Sequence, residues 1–339
     1  MVLATVTATV GSTYSKRGAQ MLMTGSAQYC GLLSGGCLEG DLVEHARSVL
    51  ANGMPRTVHY DMRNRDADEL WGLGLGCDGA IDIFLQALDR NYEPFACIAR
   101  RVAAREPCAY ALVIESTALD LPAGAIAIAT ADQSDAFSVP ERYLGALVQA
   151  GRSRLATGGA TRARMAFGDA AAEVLCAATP MPVRLLVLGA GPDAVPMVRI
   201  ARELGWYVAV GDHRRGYIER MIGAGADQAL EVMPGKLQDA LNPDAFDAAV
   251  IMSHHLQSDR AYLRALVGSG VSYIGLLGPR ARHERLLADL GEDAAATQGR
   301  VYGPVGLDIG ADTPQGIALA IAAEILAVLK GREPRHLSG

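Results

Sequence analysis

The sequence has no excess of basic residues, no long hydrophobic run and no paired cysteines. Lys and Arg number 31 against 37 Asp and Glu, giving a net charge of −6 and a pI near 5.7, and the basic residues are scattered. Such a chain offers no positive stripe for a phosphate backbone, which argues against nucleic acid as a partner. No uninterrupted apolar stretch approaches the roughly 18 residues that a membrane span requires, and the most apolar helical segment, 316–329, contains Glu324. No membrane span is expected. The opening MVLATV alternates like a strand and lacks a basic region followed by a cleavage site, so no export signal is expected either. The cysteines at 30, 37, 77, 97, 108 and 176 have neither CxxC spacing nor matching histidine pairs. That pattern disfavours a zinc module and a disulfide scaffold, and fits a reducing cytoplasm. Internal repeats and low-complexity tracts are also lacking, which excludes simple arrays.

What the chain does have is enough apolar material for two cores. It runs to 339 residues, half of them apolar and a fifth charged, with a mean hydropathy of +0.16. This is the composition of a folded, two-domain protein. Two prolines in CAATPMPV at 176–183 interrupt helix and strand alike, placing a boundary near residue 180 and domains at 1–179 and 180–339. Beyond it, strand-like runs at 184–188, 207–210, 248–252 and 271–277 alternate with helical periods near 193–204, 216–223, 258–269 and 280–290. The alternation predicts a Rossmann-like parallel sheet. Thr313-Pro314 supplies a side-chain cap and a first-turn proline for a C-terminal helix of about sixteen residues. The first half reads as mixed α+β: strands at 2–10, 20–23, 57–60 and 80–88, a helix at 38–51, a helix near 94–105, strands near 108–115 and 124–130, a helix near 140–150 and a closing strand pair. The fold class is therefore α/β, with a mixed α+β amino-terminal domain followed by a Rossmann-like one.

Three places carry candidate chemistry. LLVLGAGPDA at 185–194 is a buried strand running into GxGxxA and a helix, in which Gly189 allows the tight turn, Gly191 leaves room for a phosphate and Ala194 permits close packing. Asp212, at the end of the next strand, suits a ribose hydroxyl, whereas Arg214 and Arg215 suit a phosphate. Asp193 in the first helical turn either repels a pyrophosphate or caps the helix. His254 and His255 end a later strand, where open sheets bind ligands, although one of them also suits a capping role.

The other two places lie in the first half. In LSGGCLE at 33–39, Ser34, Gly35 and Gly36 lead to Cys37 near a helix start, where the helix dipole favours a thiolate. Cys37 is either a soft ligand or nucleophile, or a small residue in a tight turn; Glu39 is either a dipole partner or a site carboxylate. WGLGLGCDG at 71–79 brings Gly76 and Cys77 in a second glycine-rich loop, and two such loops suggest one shared site. Cys30, Cys97, Cys108 and Cys176 lie among apolar neighbours and are expected in the core. Lys16 and Arg17, in the polar stretch 11–19, suit an anion or a solvated hairpin.

Taken together and in order, GSTYSKRGAQMLMT at 11–24, LSGGCLEGD at 33–41, LWGLGLGC at 70–77, LLVLGAG at 185–191, YIGLLGPR at 273–280 and YGPVGLDIGADTP at 302–314 resemble the XdhC/CoxI family of xanthine dehydrogenase accessory factors. The resemblance spans almost the whole chain. It departs at Asp78, where members often carry glycine, and at Pro192-Asp193. It implies binding of the molybdenum cofactor (molybdopterin), assistance to its sulfuration by a cysteine desulfurase, and delivery to a xanthine-dehydrogenase-type molybdoenzyme, without turnover of its own. Cys37 is then the metal contact, with Cys77 a possible second; NAD(P) or another nucleotide at the Rossmann domain, and a homodimer, stay open. Two alternatives compete with that reading: an NAD(P)-dependent oxidoreductase using the interdomain cleft, with His254 or His255 as acid–base and Asp212 on the ribose, and a redox sensor built on a Cys37–Cys77 disulfide.

Overall fold

The computed structural model describes residues 1–63, 79–88, 91 and 93–336. The chain divides into two compact units, Met1–Met181 and Pro182–Gly339.

The first unit holds two antiparallel sheets. One has the order β3-β2-β1-β5-β4, from β1 (Val2–Gly11), β2 (Gln20–Met23), β3 (Tyr29–Cys30), β4 (Arg56–Asp61) and β5 (Gly79–Ala87). Helix α1 (Glu39–Asn52) lays Leu42, Val43, Ala46 and Val49 on it, the stripe that a 3.6-residue period dictates. Gly53 ends that helix in the left-handed region, φ 70°, and its amide caps the Val49 carbonyl at 2.9 Å. After α2 (Glu93–Ala103), the other sheet has the order β8-β7-β6-β10-β9, from β6 (Ala109–Ser116), β7 (Ile126–Ala129), β8 (Ser134–Phe137), β9 (Ala160–Phe167) and β10 (Ala170–Ala178). Helix α3 (Glu141–Thr157) covers it through Tyr143, Leu147 and Val148, and runs about two turns beyond the expected end near 150.

The second unit is a six-stranded parallel sheet of order β13-β12-β11-β14-β15-β16. Its strands are β11 (Arg184–Leu188), β12 (Tyr207–Asp212), β13 (Gln228–Glu231), β14 (Ala248–Ile251), β15 (Tyr273–Leu276) and β16 (Val301–Tyr302). The interior strands β14 and β15 are buried at every position, as strands covered on both faces must be. Helices α4 (Ala194–Glu203) and α8 (Pro314–Leu329) contribute to the core on one face, with α5 (Arg215–Gly223) adding Met221. Helices α6 (Leu256–Val267) and α7 (Arg280–Ala288) contribute to the core on the other. Thr313 caps α8 as expected, its hydroxyl accepting the Gly316 amide at 3.1 Å. The fold class is the expected one. The edge strands β3, β8, β13 and β16 were not foreseen: each has four residues or fewer and no buried run to mark it.

Candidate functional site

The turn before α1 is built around Glu39. That side chain is 3% exposed, and its carboxylate accepts the amides of Leu33 at 3.1 Å, Ser34 at 2.9 Å and Gly36 at 3.0 Å, together with the Ser34 hydroxyl. Ser34 Oγ in turn accepts the Leu38 amide at 2.7 Å. Burial pushes the Glu39 pKa up, but the hydrogen bonds from the Ser34 hydroxyl and from the amides of Ser34 and Leu33 outweigh it, and the net shift is downward. Gly35 and Gly36 sit at φ +75° and +108°, which side chains with a Cβ rarely adopt, so the chain folds over the carboxylate and presents Cys37 outward. Ser34 and Glu39 thus organise the turn, and Cys37 is the exposed thiol it displays.

Several other segments meet this turn. The Tyr14 ring lies 3.5 Å from where a Gly35 side chain would begin, and Ser15 Oγ donates to the Leu32 carbonyl at 3.2 Å. Thr13, Tyr14, Ser34, Cys37, Met62 and Ile81 line one shallow depression. Exposed Lys16 donates to the Thr13 carbonyl at 3.2 Å, so its ammonium folds back on its own loop. Arg17 is half-buried, and its Nε has no hydrogen-bond partner among the described residues. Gly76 and Cys77 lie outside the described residues. Gly79, however, starts β5 where a Cβ would stand 2.4 Å from the Ser12 carbonyl oxygen, so that strand begins tight against the 11–19 loop. Among the other cysteines, Cys97, Cys108 and Cys176 are buried as expected, whereas Cys30 is exposed on β3. Its apolar sequence neighbours misled because β3 is a two-residue edge strand with both residues facing out.

In the second unit, Gly189, Gly191, Asp212 and His254 gather at the carboxyl edge of the sheet. Gly189, at φ +120°, leaves no space for a side chain: a Cβ there would lie 2.5 Å from the Met252 carbonyl. Asp212 is 1% exposed, and its oxygens are occupied by the Ala190 amide at 2.7 Å, the Arg214 amide at 2.8 Å and the Arg214 guanidinium at 2.9 and 2.7 Å. Burial raises its pKa, and the bonds from Arg214 and Ala190 more than reverse this, leaving a net downward shift. Asp212 therefore braces the glycine turn from within, and a ribose would have to displace Arg214.

Asp193 begins α4 without a side-chain cap; its Oδ2 instead receives His254 Nε2 at 2.7 Å. His254 is held at φ +60°, and the loop that carries it is clamped by Ser253 and Arg282, which both donate to buried Asp259. His255 takes the capping role for α6, its Nδ1 accepting the Ser258 amide at 3.4 Å. The Asp193–His254 pair joins residues 61 apart, and nothing local in the sequence signals it. Among the described residues no three His, Cys, Asp or Glu side chains cluster to hold a metal ion, and no helix is long and apolar enough to cross a membrane.

Comparison with known proteins places the whole chain. Residues 1–61 match the XdhC and CoxI family and residues 185–325 match the XdhC Rossmann domain. A Bacillus subtilis (strain 168) protein named as a probable xanthine dehydrogenase subunit is 32% identical over 335 residues, 97% of this chain and 93% of that protein. A molybdenum cofactor insertion chaperone, PaoD, of Escherichia coli (strain K12) is 29% identical over 106 residues, 31% of this chain and 32% of that protein. A crystal structure of a xanthine dehydrogenase from Bacillus halodurans is 28% identical and superimposes with a TM-score of 0.77, covering 98% of this chain and 92% of that one. With two matched segments and a relative aligned from end to end, this chain belongs to the XdhC/CoxI family.

Proposed function

We propose that this protein is an accessory factor for a xanthine-dehydrogenase-type molybdoenzyme, holding the molybdenum cofactor through the Cys37 turn and handing it to the enzyme. The observation that carries this reading is the exposed Cys37 thiol on a glycine turn whose amides are gathered by Glu39. The donor set fits such a cargo. Molybdenum arrives already held by the dithiolene of its pterin, so the protein needs no closed cage of ligands, only a soft sulfur at the open side. Cys37 supplies that sulfur. Exposed Tyr14 lines the same depression, and Gly36 leaves open space where a Cβ would stand, so a bulky ligand meets no side chain there. A single sulfur also makes release easy, which suits delivery rather than storage. The xanthine dehydrogenase and chaperone names of the relatives favour the same assignment.

Sulfuration of the bound cofactor by a cysteine desulfurase, in a cytoplasmic setting, is the finer part of the proposal. The test is reconstitution of a cofactor-free xanthine-dehydrogenase-type enzyme with cofactor preloaded on wild-type or Cys37→Ala protein, with thermal melts of both carriers. Loss of activation with an unchanged melt supports the reading, whereas equal activation by both carriers overturns the role of Cys37. Absorption and mass spectra of protein purified from a cofactor-producing host read retention directly.

A further inference from the structure

We infer that the crevice at the carboxyl edge of the second unit's sheet binds a neutral, planar nitrogen heterocycle of nucleobase or pterin size, without a phosphate beside it, whose N–H edge meets Asp193. The crevice measures about 420 Å³, within the usual range of small-ligand pockets. It opens where β11 and β14 run side by side while the chain winds from them toward opposite edges of the sheet, the position at which open α/β sheets take ligands.

Its walls select the ligand's faces. Met197, Met252, Leu277, Val305, Ile317 and Ile321 make them apolar, and the two thioethers favour contact with an aromatic ring. Its polar groups select the edge. Asp193 and His254 are the polar side chains lining it among the described residues. Asp193 Oδ2 is held by His254, and Oδ1 accepts no hydrogen bond among the described residues. That free oxygen stands 2.4 Å from where a Gly191 Cβ would be, in the space beside the second glycine through which a phosphate would approach α4.

Three classes of occupant are thereby separated. A dinucleotide or nucleotide phosphate meets the Asp193 carboxylate instead of bare helix amides, and Asp212 is already bonded to Arg214, so the usual nucleotide contacts are blocked. A pure hydrocarbon would desolvate the Asp193–His254 pair and return no hydrogen bond. An alkylammonium can also reach Oδ1 but has no aromatic face to set against the two methionines. A neutral ring with an N–H donor satisfies Oδ1 and places its faces on the methionines. His254 has a left-handed φ of +60°, next to the Ser253 and Arg282 bonds to Asp259, a backbone conformation of the kind that clusters at ligand sites.

The inference concerns the second unit alone, and its outcome is separable from the role of Cys37. Calorimetric titration of the full-length protein with guanosine and with 6-hydroxymethylpterin is the experiment, with GMP and NAD⁺ as phosphate-bearing controls and cyclohexylamine as the cationic one. Saturable binding of guanosine or of the pterin is expected; the tighter of the two identifies nucleobase or pterin as the source. GMP should bind about tenfold more weakly than guanosine, and Asp193→Asn, which removes the charge, should narrow that gap. Asp193→Ala should weaken the neutral ring about tenfold, Ile317→Trp should abolish it by filling the crevice, and Cys37→Ala should leave it unchanged. Absence of saturable binding by either ring, GMP or NAD⁺ binding as tightly as guanosine, cyclohexylamine binding as tightly as either ring, or full affinity in Asp193→Ala would overturn the inference. Thermal melts show that each variant is folded; should Ile317→Trp not fold, Asp193→Ala decides.

Discussion

Ser34 and Glu39 close a ring of hydrogen bonds around Cys37: the Ser34 amide donates to Glu39 Oε1 at 2.9 Å while its hydroxyl donates to Oε2. Cys37 lies between these two residues in sequence, so the position of its thiol depends on a carboxylate that never needs to touch the cargo. The distinction between the group that binds and the group that positions it makes the site testable by parts.

Cys37 and Cys30, both exposed, should be alkylated quickly in the native protein. Cys97, Cys108 and Cys176 should be protected until unfolding, since all three are buried and burial pushes the Cys176 thiol up to about 11. Timed labelling with peptide mapping reads this. Native labelling of Cys108 at the rate of Cys37 would contradict the burial pattern.

Replacing Glu39 with Gln should destabilise the first unit by about 1–3 kcal/mol, because amides arranged for a carboxylate are left with a weaker, partly donating partner. The effect should depend on pH. The folded pKa of Glu39 is lowered from its ordinary 4.5, so its contribution is complete above that value and disappears as pH falls through the lowered folded value. Melts of wild type and Glu39→Gln should therefore differ at pH 7 and converge in strong acid. A gap that stays constant down to pH 3 would show that the carboxylate charge is not what holds the turn.

Gly189→Ala should prevent the second unit from folding. The new Cβ would sit 2.5 Å from main-chain atoms of Met252, on a residue at φ +120°, and neither strand can shift without breaking the parallel ladder. Far-ultraviolet circular dichroism and soluble yield measure it. A cooperative melt within a few degrees of wild type would mean that the turn is looser than its geometry.

Asp212→Asn should cost about 1–3 kcal/mol through loss of the charge-assisted bonds from Arg214, with partial exposure of that arginine limiting the effect. It should not create affinity for NAD(H). Tight NAD(H) binding by the wild-type protein would instead mean that Arg214 swings away to free the carboxylate.

Thr313→Ala should lower stability by about 1 kcal/mol, the usual effect of losing a helix cap, here the bond from the Gly316 amide. A chemical denaturation midpoint reads it directly; an unchanged midpoint would show that Pro314 alone starts the helix.

Much of the second unit was legible in the sequence because its information is local. Alternating buried runs and helical periods specify a parallel sheet, and a strand, GxGxxA and Asp212 in register specify its first turn. The turn at 33–39 was legible for a similar reason, its two glycines and following helix fitting in seven residues. The short edge strands were not, because none of their residues is buried and no apolar run marks them, and Cys30, on one of them, was misplaced in the core.

The sequence by itself determined the family, the fold class and the position of Cys37 beside a helix start, because motif, periodicity and capping act between neighbours along the chain. Only the tertiary structure decided what the carboxylates do. Glu39 turns inward to amides, Asp212 bonds Ala190 and Arg214, and Asp193 reaches His254 across 61 positions. A carboxylate accepts whichever donors folding brings nearest, and that choice is made in space rather than along the chain.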